Sequence, residues 1–261
     1  MMNWLLDLFN EAATHSVSTG IVWHGCFMVL AWAVFMPVAF VVARFYKITP
    51  GQDWPRTINN FWFRNHRWLG YAAGIATAVA MAGIFWTGEP LILWRSYHAL
   101  TGWVLIALAL LLIVGSLFRG THGGPYHPRT FEPLPPELWP GDHFSLTQRR
   151  ILFEYSHKNA GYVVVLLTFW QVASGLQDAG AASWIWLTIG LWTLIVAAAF
   201  VKLQLAGKCV DTYQSIWGLN DTFPGYRRNP IGWGITRVPG PYPVQQTAWR
   251  PARQRQSPKP K

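Results

Sequence analysis

Four histidines, His24, His66, His98 and His157, each fall near the start of a long apolar run. An imidazole surrounded by lipid has to be satisfied by something, so a ligating residue at that depth marks a functional site by default. Neutral imidazole is the commonest protein ligand to a metal, and two of them can hold one ion from opposite sides. Consecutive membrane helices run antiparallel, so the starts of successive helices alternate between the two faces. His24 and His98 then share the face of the N-terminus, and His66 and His157 share the other. This placement offers two bis-histidine metal centres, one near each face.

The elements that must position these residues are apolar segments of membrane-spanning length. The first, IVWHGCFMVLAWAVFMPVAFVVARFYK at 21–47, has no charged side chain from Ile21 to Val42. At ~1.5 Å per residue, that stretch crosses a ~30 Å hydrocarbon core. Similar runs predict helices at roughly 63–87, 94–118 and 152–176, and a fifth at 183–206 carries no histidine. The expected fold is therefore an all-α integral membrane domain of five transmembrane helices, four of them bundled around the metal sites.

Spacing sharpens the ligand reading. His66, His98 and His157 are each followed four residues later by glycine, at Gly70, Gly102 and Gly161. Residues four apart stack on one helical face, so glycine there removes the side chain that would collide with a flat macrocycle. Glycine also serves close helix packing in membranes. His24 departs from this pattern, with Met28 at the same spacing and Gly25 next to it. A single histidine in a helical bundle is more often a hydrogen-bonded core residue than a ligand, but four in register are hard to produce by packing needs alone. Zinc sites usually add thiolate or carboxylate ligands, which do not accompany these pairs, whereas two axial histidines suit a saturated, six-coordinate heme iron. No C-x-x-C-H sequence is present, so two heme b groups, held without thioether links, are expected.

The rest of the chain sets the surroundings. Of its 261 residues, 52% are hydrophobic and only 12% charged, which excludes an ordinary soluble domain. Residues 1–17 lack a basic start and a long apolar core, and read as a short interfacial helix, not a cleaved leader; His15 there reads as surface polarity. Cys26 and Cys209 would lie at opposite faces, so no disulfide framework is implied. His122, His127 and His143 belong to a Pro- and Gly-rich loop at 119–151, and their spacing matches no common zinc pattern. The segment at 207–261 reads as a basic tail whose first part is aromatic enough to pack on the membrane surface.

Charge placement predicts the orientation. On the N-terminal face Arg95 is the only basic residue, against Asp7, Glu11, Glu89 and Asp178, and the other face holds the remaining 20 of the 21 Lys and Arg. That bias puts the N-terminus outside and the C-terminus in the cytoplasm. It also accounts for the net charge of +10 without a nucleic-acid partner. Arg64, Arg67, Arg150 and Lys158 flank the inner histidines, and Arg95 lies near the outer pair. These cations are placed to neutralise heme propionates or attract an anionic donor, although positive-inside bias alone predicts the four inner ones.

The segments HGCFMVLAWAVFMPVAFVVARFYK, FWFRNHRWLG, SYHALTGW and YSHKNAGY together resemble the transmembrane core of the cytochrome b561 family, including the module fused to DOMON domains. The likeness covers about residues 20–206. It implies a four-helix bundle around two hemes b, with His24 and His98 at the outer heme and His66 and His157 at the inner one. It further implies electrons crossing from a cytoplasmic donor, ascorbate in many eukaryotic members, to an outside acceptor. Eukaryotic members usually have six helices, whereas five are counted here, and no DOMON domain precedes the first. The phrase DTYQSIWG is similar to what bacterial members carry, which points to a bacterial cytoplasmic membrane.

Two redox readings follow, with lipid as the common surrounding. In the first, the chain is a diheme cytochrome passing electrons between a donor on one face and an acceptor on the other. In the second, it is a heme-bearing anchor subunit exchanging electrons between quinone and a partner protein. A third reading, histidines with structural hydrogen bonds only, predicts a colourless protein.

Overall fold

A computed structural model describes residues 19–52, 54, 60–86, 96–120, 134–138, 146–219 and 224–239. Among them the chain is helical, apart from one isolated parallel bridge between Val210 and Thr236. Five helices are long and apolar enough to cross a membrane: α1 Thr19–Phe45, α2 Phe61–Trp86, α3 Tyr97–Leu117, α4 Gln148–Asp178 and α5 Ser183–Leu205. A short helix, α6 Thr212–Trp217, follows. The five spans agree with the expected helix count.

One helix boundary and one helix interior differ from the expectation for physical reasons. α4 begins at Gln148, a turn before the apolar run, because Thr147 Oγ1 accepts from the Arg150 N–H at 3.3 Å and caps the helix. Its charged first turns pair internally at i,i+4, Arg150 with Glu154 and Glu154 with Lys158. Inside α1, Val29–Phe35 widens to a π-helical turn. Pro37, just past Met36, has no N–H to give the carbonyl four residues back, that of Ala33. The Trp192 indole N–H from α5 donates to the Ala33 carbonyl at 2.6 Å.

Contacts divide the chain into two units. The first comprises 1–41, 64–112 and 160–202. Its core is Ala31, Trp32, Ala73, Ala76, Leu105 and Val164, with Ala39 and Ala80 also buried. Alanine dominates α1 and α2 there, and small residues let membrane helices approach closely where lipid supplies no hydrophobic drive between them. Most large apolar side chains of α5, such as Leu187, Leu191, Leu194 and Ile195, stay exposed, as a lipid-facing surface requires.

The second unit comprises 42–63, 113–159 and 203–261. The segment after α5, expected to lie on the membrane surface, builds a core of its own from Tyr213, Ile216, Trp217 and Leu146. Tyr213 stacks on Trp217 at 4.6 Å and meets Tyr226 edge-on at 5.2 Å. Asp211 caps α6 by accepting from the Tyr213 N–H, and its other oxygen takes Arg237 Nε at 2.8 Å. Three helix-end cations donate to backbone carbonyls of this segment: Arg44 to Trp233 at 2.7 Å, Lys47 to Val210 at 2.8 Å and Lys158 to Ile231 at 2.7 Å. Burial depresses the Lys47 ammonium to a pKa of about 8, helped by Lys158 and opposed by Cys209, Asp211 and Glu154.

Candidate metal centre

Each of the four histidines lies on a different span, and because α4 starts at Gln148, His157 is more than two turns into its helix instead of the expected one. His24 lies on α1, His66 on α2, His98 on the first turn of α3 and His157 on α4, and all four are half-buried. His24 and His98 come together in the first unit, with ring centroids 6.2 Å apart and planes at 85°. Two imidazoles bound to one metal from opposite sides at about 2 Å would place their centroids roughly 6 Å apart. Among the described residues no group of three or more His, Cys, Asp or Glu side chains gathers to hold a metal ion.

The ring nitrogens carry a second regularity. His24 Nδ1 lies 3.3 Å from the carbonyl of Ala80, and His66 Nδ1 lies 3.1 Å from that of Ala39. The two contacts are reciprocal between α1 and α2, each histidine reaching an alanine about fourteen or fifteen residues along from its counterpart's level. At ~1.5 Å per residue the two levels lie about 20 Å apart along the helix pair. A carbonyl can only accept, so Nδ1 must carry the proton and Nε2 keeps its lone pair for a metal. Metal-binding histidines commonly show this arrangement, in which the acceptor also fixes the ring angle. The imidazole donor set and its tautomers therefore fit an axially ligated heme.

His98 meets side chains instead. Its Nδ1 lies 3.1 Å from Ser174 Oγ and 2.9 Å from the Gln171 amide nitrogen, which also donates to the His98 backbone carbonyl at 2.7 Å. Gly175 lies against the ring: a Cβ there would stand 2.7 Å from His98 Cε1. Sequence reasoning missed Ala39, Ala80, Gln171, Ser174 and Gly175. The polar pair Gln171 and Ser174 inside an apolar run is the one signal in the sequence that points to them.

The glycines separate into two kinds. A Cβ on Gly102 would come 2.9 Å from the Gln171 amide, so this position makes room for a side chain of α4. At Gly70 and Gly161 no atom outside the local backbone lies within 4 Å of where a Cβ would stand, which is compatible with a broad ligand face.

His157 belongs to the second unit, packed against Phe153 with ring centroids at 5.0 Å. Of the flanking cations, Arg64 and Arg67 are exposed. Arg150 is buried and bonds Glu154 at 2.9 Å and the Arg119 carbonyl at 3.2 Å, while Lys158 bonds the same carboxylate and Ile231. Glu154, absent from the expected site, thus shares the charge of both. Arg95, His15, His122, His127 and His143 lie outside the described residues. Cys26 and Cys209 are both free thiols, the first exposed and the second buried.

No family model matches the chain, and no solved structure matches it. Among curated proteins it is similar to a cytochrome b561, DM13 and DOMON domain-containing protein of Arabidopsis thaliana, 24% identical over 195 residues. The match takes in 71% of this chain but only 18% of that protein. This distant likeness fits the resemblance drawn from the histidine segments.

Proposed function

We propose that the chain is a diheme b-type cytochrome that moves electrons through the membrane between a donor on one face and an acceptor on the other. The observation that carries it is the His24–His98 pair, 6.2 Å apart, with His24 Nδ1 on a main-chain carbonyl and His98 Nδ1 on a hydroxyl. By the same donor logic His66, whose Nδ1 is held by Ala39, serves a second heme with His157. A heme iron ligated by two histidines supplies one-electron chemistry without an open coordination position. The protein's part is to present two neutral imidazoles at fixed angles, to exclude water at each level and to leave room at Gly70 and Gly161. Arg64 and Arg67, exposed on α2 beside His66, suit heme propionates or an anionic donor.

The basic side of the chain is assigned to the cytoplasm and the N-terminus to the outside, in a bacterial cytoplasmic membrane. Pyridine hemochrome analysis of the purified chain tests the reading: two hemes b per chain are expected, and one or none would sink it.

A second reading, a heme-bearing anchor that exchanges electrons between quinone and a partner protein, draws on the similar plant protein. Its name joins a cytochrome b561 to DM13 and DOMON domains, and this chain spans only 18% of its length. Purification in mild detergent separates the two readings, since a stoichiometric redox partner supports the anchor.

A further inference from the structure

The geometry points to Ser174 as the positioning residue that holds His98, against the neighbouring Gln171 amide, in the tautomer and ring angle an iron ligand needs. This inference deepens the diheme reading and rests on it. At His24 and His66 the acceptor for Nδ1–H is a main-chain carbonyl, which side-chain replacement cannot remove. At His98 it is a hydroxyl, a group that side-chain replacement can remove.

Of the two groups beside His98 Nδ1, Ser174 Oγ and the Gln171 amide nitrogen, only the hydroxyl can accept a proton from it. Ser174 Oγ lies 3.1 Å from His98 Nδ1 and donates its own proton to the Gln171 carbonyl at 3.2 Å, so it can accept from Nδ1–H. The Gln171 amide nitrogen lies 2.9 Å from the same Nδ1 but can only donate. That amide is fixed by donating to the His98 carbonyl at 2.7 Å, while its oxygen accepts from Thr101 Oγ1 at 2.6 Å. Ser174 and Gln171 therefore favour opposite tautomers. With the hydroxyl present, Nδ1 keeps its proton and Nε2 its lone pair. Without it, the remaining partner of Nδ1 is an N–H, which favours the ring proton on Nε2 and weakens ligation there. Gly175 lets the ring lie against α4 where this choice is made, because any Cβ would strike it.

The test uses the full chain and three variants, Ser174→Ala, Ser174→Thr and Ser174→Val. The Thr and Val pair separates the hydroxyl from side-chain volume and serves if the alanine variant folds poorly. In redox titrations followed by difference spectra, Ser174→Ala and Ser174→Val are expected to raise the potential of one component and leave the other unmoved. Heme at that component should be lost to a competing apoprotein about 10–100-fold more readily, the usual cost of removing an outer partner of a metal-bound histidine. Ser174→Thr should restore both. Potentials and heme retention equal to the parent in both hydroxyl-free variants would overturn the inference while leaving the diheme reading intact. A parent chain with no heme sinks that reading first. In that case ¹⁵N imidazole shifts still decide: protonated Nδ1 in the parent and protonated Nε2 in Ser174→Ala support the role of Ser174, and an unprotonated parent Nδ1 overturns it.

Discussion

The rings of His24 and His98 stand edge to face, 6.2 Å between centroids and 85° between planes, on two helices that are not consecutive in the chain. At that separation each ring would be able to offer one nitrogen to a single metal held between them.

If that pair holds one iron, His24→Ala and His98→Ala should each remove the same component from a reduced-minus-oxidised spectrum. His66→Ala and His157→Ala should remove the other. Loss of different components from the His24 and His98 changes would disprove the pairing.

Glycine substitutions distinguish ligand room from packing room. Gly175→Ala places a methyl 2.7 Å from His98 Cε1, closer than such atoms approach, so the ring must tilt. The component that depends on His98 should broaden or vanish in low-temperature EPR, with the other retained. Gly161→Leu meets no protein atom within 4 Å at its Cβ and should leave folding intact while lowering heme content by one. Unchanged heme content would show that no macrocycle passes that face.

Glu154 is shared by Arg150 and Lys158, three residues before His157 on the same helical face. Glu154→Gln removes the counter-charge, leaving two cations near His157, and extra positive charge favours the reduced iron. The component lost in His157→Ala should rise by roughly tens of millivolts in redox titration. Breaking this largely buried ion pair should also cost about 3 kcal/mol of stability. An unchanged potential would place the second heme away from this cluster.

Lys47 makes stability pH-dependent. Its buried pKa of about 8 lies below the usual 10.5, so between those values the unfolded chain binds more protons than the folded one. Stability therefore rises with pH across that window, by up to about 1.4 kcal/mol per unit. Burial raises Tyr213 and Tyr226 well above the usual 10.0, so their contribution is present below pH 10 and is lost above it. Thermal melts in detergent should peak near pH 10, and Lys47→Met should flatten the rise from pH 8. A melting temperature that falls steadily from pH 8 in the parent would count against the buried ammonium.

Removing the indole donor in Trp192→Phe should leave the Ala33 carbonyl unsatisfied beside Pro37. The expected loss is about 1–3 kcal/mol, read as a lower melting temperature. A variant as stable as the parent would mean that the widened turn of α1 satisfies that carbonyl unaided.

The sequence by itself determined the five spans and which of them carry the four histidines. Those features are local: apolar length decides whether a segment can cross lipid, and a 3.6-residue period decides what lies above each histidine. It could not show which groups meet the other ring nitrogen. Ala80 and Ala39 carry no polar side chain, and their carbonyls matter only because close packing of α1 and α2 brings a ring to each. Gly175, not Gly102, touches the His98 ring because inter-helix register, which no spacing within α3 encodes, places α4 beside it. The segment after α5 shows the same limit. Its aromatics read equally well as membrane-surface residues, and only the cap at Asp211, the Arg237 bond and the three cation-to-carbonyl contacts turn them toward one another. Pairings between residues far apart in the chain belong to the tertiary structure, because the free energy that selects them arises only when several helices pack at once.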